Sequence, residues 1–198
     1  NHPDGEGRYA WADGARYSGG WRQGAKHGVG AYRWPSGAAY SGEWRHGRMH
    51  GAGTFRSPAG AHYRGGPVAD LKHGLGRKAY ANGDGYEGLW RKGRPHGPGR
   101  YLWAREGDQY DGEWRAGRME GTGTFVWGLT RDRYDGEWVA GREEGVGVFT
   151  QADGSSYVGF WRGGRKHGIG VFYPGSGGGA CAAAAASHQK QQPEEQQE

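Results

Sequence analysis

Apolar and polar positions alternate with period two in short bursts, and the bursts recur along the chain. Tyr-x-Gly-x-Trp or a close variant begins at Tyr17, Tyr40, Tyr63, Tyr86, Tyr110, Tyr134 and Tyr157, in steps of 23 or 24 residues. About eleven residues after each tyrosine a Gly-x-Gly introduces alternate aromatics, as in Gly28-Val-Gly30-Ala-Tyr32-Arg-Trp34. The other copies run Gly51/Gly53/Phe55, Gly74/Gly76/Tyr80, Gly97/Gly99/Tyr101/Trp103, Gly121/Gly123/Phe125/Trp127, Gly145/Gly147/Phe149 and Gly168/Gly170/Phe172. A leading half-repeat, Gly5-Glu-Gly7-Arg-Tyr9-Ala-Trp11, precedes the first full one. Alternation in runs this short predicts strands, not helices. Self-similarity at this period predicts an array of stacked units that works through an extended surface, so binding or scaffolding is the first expectation.

Two strands per repeat imply two kinds of turn. Pairing Tyr17, Gly19 and Trp21 with Trp34, Tyr32 and Gly30 places Trp21 over Gly30 and Tyr32 over Gly19, so that rings cover glycines that would otherwise weaken a strand. Between repeats, in Trp11-Ala12-Asp13-Gly14 or Trp34-Pro35-Ser36-Gly37, a two-residue turn would put the next tyrosine on the wrong face. A three-residue loop with glycine in the left-handed position keeps the aromatics together. The two 24-residue steps carry their extra residue in this loop, where insertions are tolerated. Some fourteen to sixteen strands at ~4.8 Å spacing make a ribbon on the order of 70 Å long and roughly 17 Å wide.

Composition refines this picture. The 198 residues include 44 glycines and only 34% hydrophobic residues, with Tyr and Trp supplying most of the apolar area, so the core is expected to be thin. No apolar run reaches the ~18 residues of a membrane-crossing helix, and no secretory signal is visible. The opening residues read as the cut edge of a larger chain. Cys181 is the single cysteine, which rules out an internal disulfide and fits a reducing, cytosolic compartment. From about Gly175 the pattern stops. Gly-Ser-Gly, five alanines at 182–186 and a Gln/Glu-rich end predict a disordered tail over 175–198, with a short helix across 182–192 as an option. The array is therefore assigned to 1–174.

The net charge of +5 understates the basicity of the body. Residues 7–174 hold 25 Lys and Arg against 16 Asp and Glu, hence +9. The turns between the two strands of each repeat carry Arg22 and Lys26, Arg45 and Arg48, Lys72, Arg91, Lys92 and Arg94, Arg115 and Arg118, Arg142, then Arg162, Arg165 and Lys166. All these turns fall on one edge of the ribbon, whereas the opposite edge mixes Asp13, Asp84, Glu106, Asp108, Asp132 and Asp153 with Arg16, Arg105, Arg131 and Arg133. Cations repeating every ~10 Å match an anionic membrane surface, each adding ~1 kcal/mol near it. Solubility of turns and protection of the sheet from edge association are the alternative reasons for such residues. Nucleic acid is the weaker partner, because the rings are committed to packing and few remain to stack on bases.

His27, His50, His73, His96 and His167 hold equivalent positions, with Glu120 and Glu144 replacing them in two repeats. Equivalents ~10 Å apart cannot share an ion with ligand distances of about 2 Å, so a turn-capping role is preferred to a metal ladder. Gly-x-Gly echoes a phosphate loop but lacks the strand–loop–helix setting and a Gly-Lys-Ser/Thr. Cys181 has no placed base, and the carboxylates form no evident acid/base pair. No catalytic residues, metal ligands or cofactor are assigned.

Tyr-x-Gly-x-Trp, a basic turn and His/Glu-Gly-x-Gly-x-aromatic at 23 residues resembles the MORN (membrane occupation and recognition nexus) repeat over residues 5–174. Pro67 stands for Trp in the third repeat and Ser57 for its second aromatic, which puts the packing there in question. A closer resemblance is to the amino-terminal MORN region of plant phosphatidylinositol 4-phosphate 5-kinases, carried by the stretches Leu71 to Trp90 and Gly123 to Trp127. The resemblance implies an all-β, elongated single-layer antiparallel meander of stacked hairpins. It also implies plasma-membrane targeting from the cytoplasmic side, phosphatidic acid or phosphoinositide binding, and control of a kinase domain that these residues do not contain. A protein-binding scaffold is the alternative, using the aromatic face or a terminal strand edge to pair with a second copy, the kinase domain or another protein.

Overall fold

The computed structural model describes residues 2–175, and every regular element among them is a β-strand. The expected tail beyond Gly175, with Cys181 and the helix considered over 182–192, lies outside the described residues. The chain divides into two compact units meeting at Arg94 and Pro95.

The first unit contains β1 (Gly5–Ala10), β2 (Arg16–Arg22), β3 (Ala25–Arg33), β4 (Ala39–Arg45), β5 (Arg48–Arg56), β6 (His62–Val68), β7 (Leu71–Ala79) and β8 (Gly85–Arg91). The second contains β9 (Arg94–Trp103), β10 (Asp108–Arg115), β11 (Arg118–Val126), β12 (Arg133–Val139), β13 (Arg142–Thr150), β14 (Ser156–Arg162) and β15 (Arg165–Tyr173). Within each unit every strand pairs antiparallel with its successor, so each is an open meander in chain order. The all-β reading of the alternation is correct, and the physical reason lies in the turns.

The loops between repeats are three residues long. Trp11 N–H donates to the Ala15 carbonyl at 2.9 Å and Gly14 N–H to the Trp11 carbonyl at 3.0 Å, with Gly14 at a φ of +93°. Trp34-to-Ala38, Ser57-to-Ala61, Tyr80-to-Asp84 and Gln151-to-Ser155 close in the same way. In the longer repeats the extra residue does sit in this loop, where Gly107 N–H and Arg131 N–H reach the Trp103 and Trp127 carbonyls at 2.9 and 2.8 Å.

The proposed strand register does not hold. Tyr17 faces Tyr32 and Gly19 faces Gly30, and a bulge then sets Trp21 against Lys26. The ring over the glycine pair is therefore the tyrosine of the same repeat: a Cβ on Gly30 would lie 2.3 Å from the Tyr17 hydroxyl oxygen. From there the hydroxyl donates to the bulge carbonyl three residues on, Tyr17 to Gly20 at 2.9 Å, and likewise Tyr40 to Glu43, Tyr86 to Leu89, Tyr110 to Glu113 and Tyr134 to Glu137. The tryptophans that close the Tyr-x-Gly-x-Trp segments from Trp44 onward reach back to the preceding repeat. Trp44 Nε1–H donates to the Gly30 carbonyl at 3.1 Å, Trp90 to Gly76, Trp114 to Gly99 and Trp138 to Gly123.

These bonds stitch the repeats through their rings. Tyr17 meets Trp21 and Trp44 edge-on, with centroids 5.1 and 5.5 Å apart, and Tyr134 meets Trp138 and Trp161 at 5.2 and 5.0 Å. Such pairs contribute about 0.5–1.5 kcal/mol each beyond area burial. The repeat tyrosines from Tyr17 to Tyr134 are nearly sealed from solvent, Tyr110 and Tyr134 at 0%, while Tyr157 is half-buried. In the third repeat Pro67 replaces the tryptophan, and there the Tyr63 hydroxyl makes no i to i+3 bond.

Candidate functional site: a basic edge of stacked turns

Within each repeat the strands are joined by two-residue hairpins whose residues both have positive φ, as in His46-Gly47 at +49° and +81° or Ala116-Gly117 at +50° and +86°. This turn matches the right-handed strand twist. Successive hairpins are then tied backbone to backbone. In the first unit Gly47 N–H donates to the Lys26 carbonyl at 2.8 Å, Asp70 N–H to Met49 at 3.1 Å and Gly93 N–H to Lys72 at 2.9 Å. In the second, Gly117, Gly141 and Gly164 donate to Pro95, Met119 and Glu143 at 2.9, 2.9 and 3.0 Å. Each unit thus presents its hairpins as one stacked edge, and the residues flanking them as rows.

Arg22, Arg45, Arg48, Arg91, Lys92 and Arg94 occupy this edge in the first unit, all exposed. Arg115, Arg118, Arg142, Arg162 and Arg165 do so in the second, where Arg115 lies 4.0 Å from Glu120. Arg45 faces Arg48, Arg115 faces Arg118 and Arg162 faces Arg165 directly across their hairpins. Like charges so placed repel. The third repeat breaks the row, with Val68 and Leu71 in the flanking positions and Asp70 in the turn, its carboxylate accepting the Met49 N–H at 2.8 Å.

The three remaining predicted site residues lie elsewhere. Lys26, Lys72 and Lys166 oppose Trp21, Pro67 and Trp161, which puts them on the aromatic face. The Lys26 ammonium sits 4.0 Å from the Tyr32 ring centroid and 4.1 Å from that of Trp44, and Lys166 lies 4.7 Å from Tyr157. Burial pushes the Lys26 ammonium below its ordinary pKa, against the opposing pull of Asp70, while the ring faces offset part of the desolvation. The same strand position holds Met49, Met119 and Glu143 in other repeats. Lys26 is half-buried among the rings, Lys166 remains exposed, and all three lysines stand apart from the row.

The His/Glu position acts locally. Glu120 and Glu144 accept backbone N–H bonds from the next hairpin, at Ala140 (3.0 Å) and Gly163 (2.9 Å), and His27 packs edge-on against His46 with centroids 5.6 Å apart. No group of three or more metal-ligating side chains converges among the described residues.

The MORN repeat family model matches residues 1–16, 17–39, 40–62, 63–85, 86–106, 110–128, 134–156 and 157–178. The chain belongs to the MORN repeat family. Its MORN hairpins coincide with the ring-over-glycine units described above. A comparison with curated proteins returns no match. Among solved structures the chain is similar to the Drosophila melanogaster SAS-4 (dCPAP) TCP domain, determined with a proline-rich motif of Ana2 (dSTIL), at 11% identity and a TM-score of 0.42, covering 81% of this chain and 83% of that one. It is also similar to the Danio rerio CPAP TCP10 domain at 11% identity and a TM-score of 0.27, covering 78% and 83%.

Proposed function

We propose that the MORN array, taken as residues 1–174, is a peripheral membrane-binding module that docks its stacked hairpin edge on anionic phospholipid at the cytoplasmic face of the plasma membrane. The observation that carries this reading is the facing arginine pairs, Arg45/Arg48 in the first unit and Arg115/Arg118 and Arg162/Arg165 in the second, exposed on hairpins that backbone hydrogen bonds stack within each unit. An anionic surface relieves their mutual repulsion and gains about 1 kcal/mol for each cation brought near it. The exposed Val68 and Leu71 at the hairpin edge of the first unit, and Val139 at that of the second, add apolar contact for the headgroup layer.

The resemblance of Leu71 to Trp90 and Gly123 to Trp127 to plant phosphatidylinositol 4-phosphate 5-kinases supports reading this module as the regulatory part of such an enzyme. There it recognises phosphatidic acid or phosphoinositide and modulates the kinase domain, without cofactor or catalysis of its own. Sedimentation with phosphatidic acid vesicles against neutral vesicles, at two salt concentrations, tests the reading. Binding confined to anionic vesicles and weakened by salt is expected; equal recovery with neutral lipid would refute it.

A second reading rests on β15, whose residues are all exposed, Ile169, Val171, Phe172 and Tyr173 among them. An open strand edge with apolar side chains is a template for pairing with a second copy. Light scattering across a concentration series distinguishes a monomer from such a pair.

A further inference from the structure

On the face of the first unit opposite the aromatic rings, β1 to β5 enclose an open trough of about 820 Å³ whose cationic lining is Arg8, Arg16, Arg33 and Arg56. Its floor is short and polar or small, with Ser18, Ala31, Ser41 and Thr54 side by side in register across β2 to β5. Arg16 stands directly opposite Arg33, and Arg8 is opposite Ser18. None of these four arginines has an ion-pair or hydrogen-bond partner among the described residues. Two guanidinium groups on directly facing residues repel each other, and the trough supplies no anion to relieve them.

The second unit shows what the same place looks like when the anion is built in. Arg133-Tyr134-Asp135 corresponds to Arg16-Tyr17-Ser18 in the repeat. Arg133 donates through Nε and Nη2 to the two Asp135 oxygens, both at 2.6 Å, and the Thr124 hydroxyl donates to Asp135 at 2.6 Å. Burial disfavours the Asp135 charge, yet the bonds from Arg133 and Thr124 hold its carboxyl below its ordinary pKa. At the equivalent site in the first unit, Ser18 replaces the carboxylate and Arg8 replaces the threonine. One internal anion has been removed and one cation added.

We propose that this trough is a binding site for a ligand bearing clustered phosphate groups. The cations are all arginine, whose planar fork matches phosphate oxygens in pairs. Facing residues at ~5 Å and arginines two strands apart at ~10 Å suit phosphates spread over one small ring, and the volume lies within the range of small-ligand sites. The hydroxyls of Ser18, Ser41 and Thr54 line the floor beside Ala10, Ala31 and Ala39. The trough is on a different surface from the hairpin edge and does not depend on that edge binding membrane.

Calorimetric titration of the full chain with inositol 1,4,5-trisphosphate tests the site, and vesicles containing phosphatidylinositol 4,5-bisphosphate show whether the same headgroup is taken from lipid. Saturable binding of the trisphosphate is expected. Ser18→Asp recreates the Arg133–Asp135 arrangement and should weaken binding by about tenfold or more, with an unchanged or raised melting temperature, while Ser18→Asn retains affinity. Arg33→Ser should also lose the ligand without losing the fold. The Arg91, Lys92 and Arg94 triple neutralisation should leave trisphosphate binding intact, which separates this site from the membrane edge. Absence of saturable binding, wild-type affinity in Ser18→Asp, or equal affinity for a short polyglutamate would overturn the proposal.

Discussion

Gly123 lies beneath the Tyr110 ring, and a Cβ added there would meet the hydroxyl at 2.4 Å and two ring carbons at 2.6 Å. Gly123→Ala should therefore cost about 1–3 kcal/mol in denaturant unfolding. Gly112→Val should cost more, because its Cβ would strike the backbone at Gly123 Cα, 2.5 Å away, as well as the tyrosine. The covered tyrosines also impose a pH limit. Burial pushes Tyr17, Tyr40 and Tyr63 up to about 12, and Tyr110 and Tyr134 are raised as well, by burial first and then by nearby glutamates. In the unfolded chain tyrosine titrates near pH 10. Their contribution is thus complete below about pH 10 and is lost as pH rises through the folded-state values. Stability should be flat across neutral pH and fall steeply above about 10, with tyrosinate absorbance appearing together with loss of ellipticity. Tyr110→Phe should cost about 0.5–1.5 kcal/mol by removing the bond to Glu113.

At the level of hairpins, the first residue of each two-residue turn is the weak point. Ala116 and Ala140 hold φ of +50°, a conformation that costs an alanine roughly 1–2 kcal/mol. Ala116→Asn should raise stability by about 0.5–1 kcal/mol in thermal or chemical unfolding, since asparagine tolerates this region. The strands and the length of the loops between repeats were readable from alternation and loop arithmetic, but the two-residue hairpins and the register were not. A slip of two residues leaves every side chain on its original face, so Tyr17 opposite Trp34 and Tyr17 opposite Tyr32 look equally good on paper. What selects the observed pairing is the bulge at the first glycine of each Gly-x-Gly. Gly28 and Gly30 are identical in sequence terms, yet Gly28 bends the strand at a φ of +68° with open space around it, while Gly30 lies under a ring.

For the whole molecule, neutralising Arg91, Lys92 and Arg94 should leave the circular dichroism unchanged and weaken binding to phosphatidic acid vesicles. At about 1 kcal/mol per charge the loss approaches roughly a hundredfold at low salt and shrinks as salt screens the edge. Neutralising Lys26 should instead act mainly on stability, because its ammonium is held between rings. That contrast marks how far the candidate site could be read in advance. Spacing from the tyrosine put Lys26, Lys72 and Lys166 near the hairpins, but only the register shows them turned to the tryptophan face. Arg8, Arg33 and Arg56 lie in three different strands, and only pairing gathers them on one face with Ser18. By itself the sequence determined the class, the repeat, the length of the loops between repeats and the hairpin positions of the arginines, since period-two alternation, loop length and glycine placement are local properties of the chain. Tertiary structure decided which strand residues face one another, which cations are spent on aromatic rings and which are left without a counter-charge. Those follow from bulge geometry and packing between repeats, which no single repeat contains.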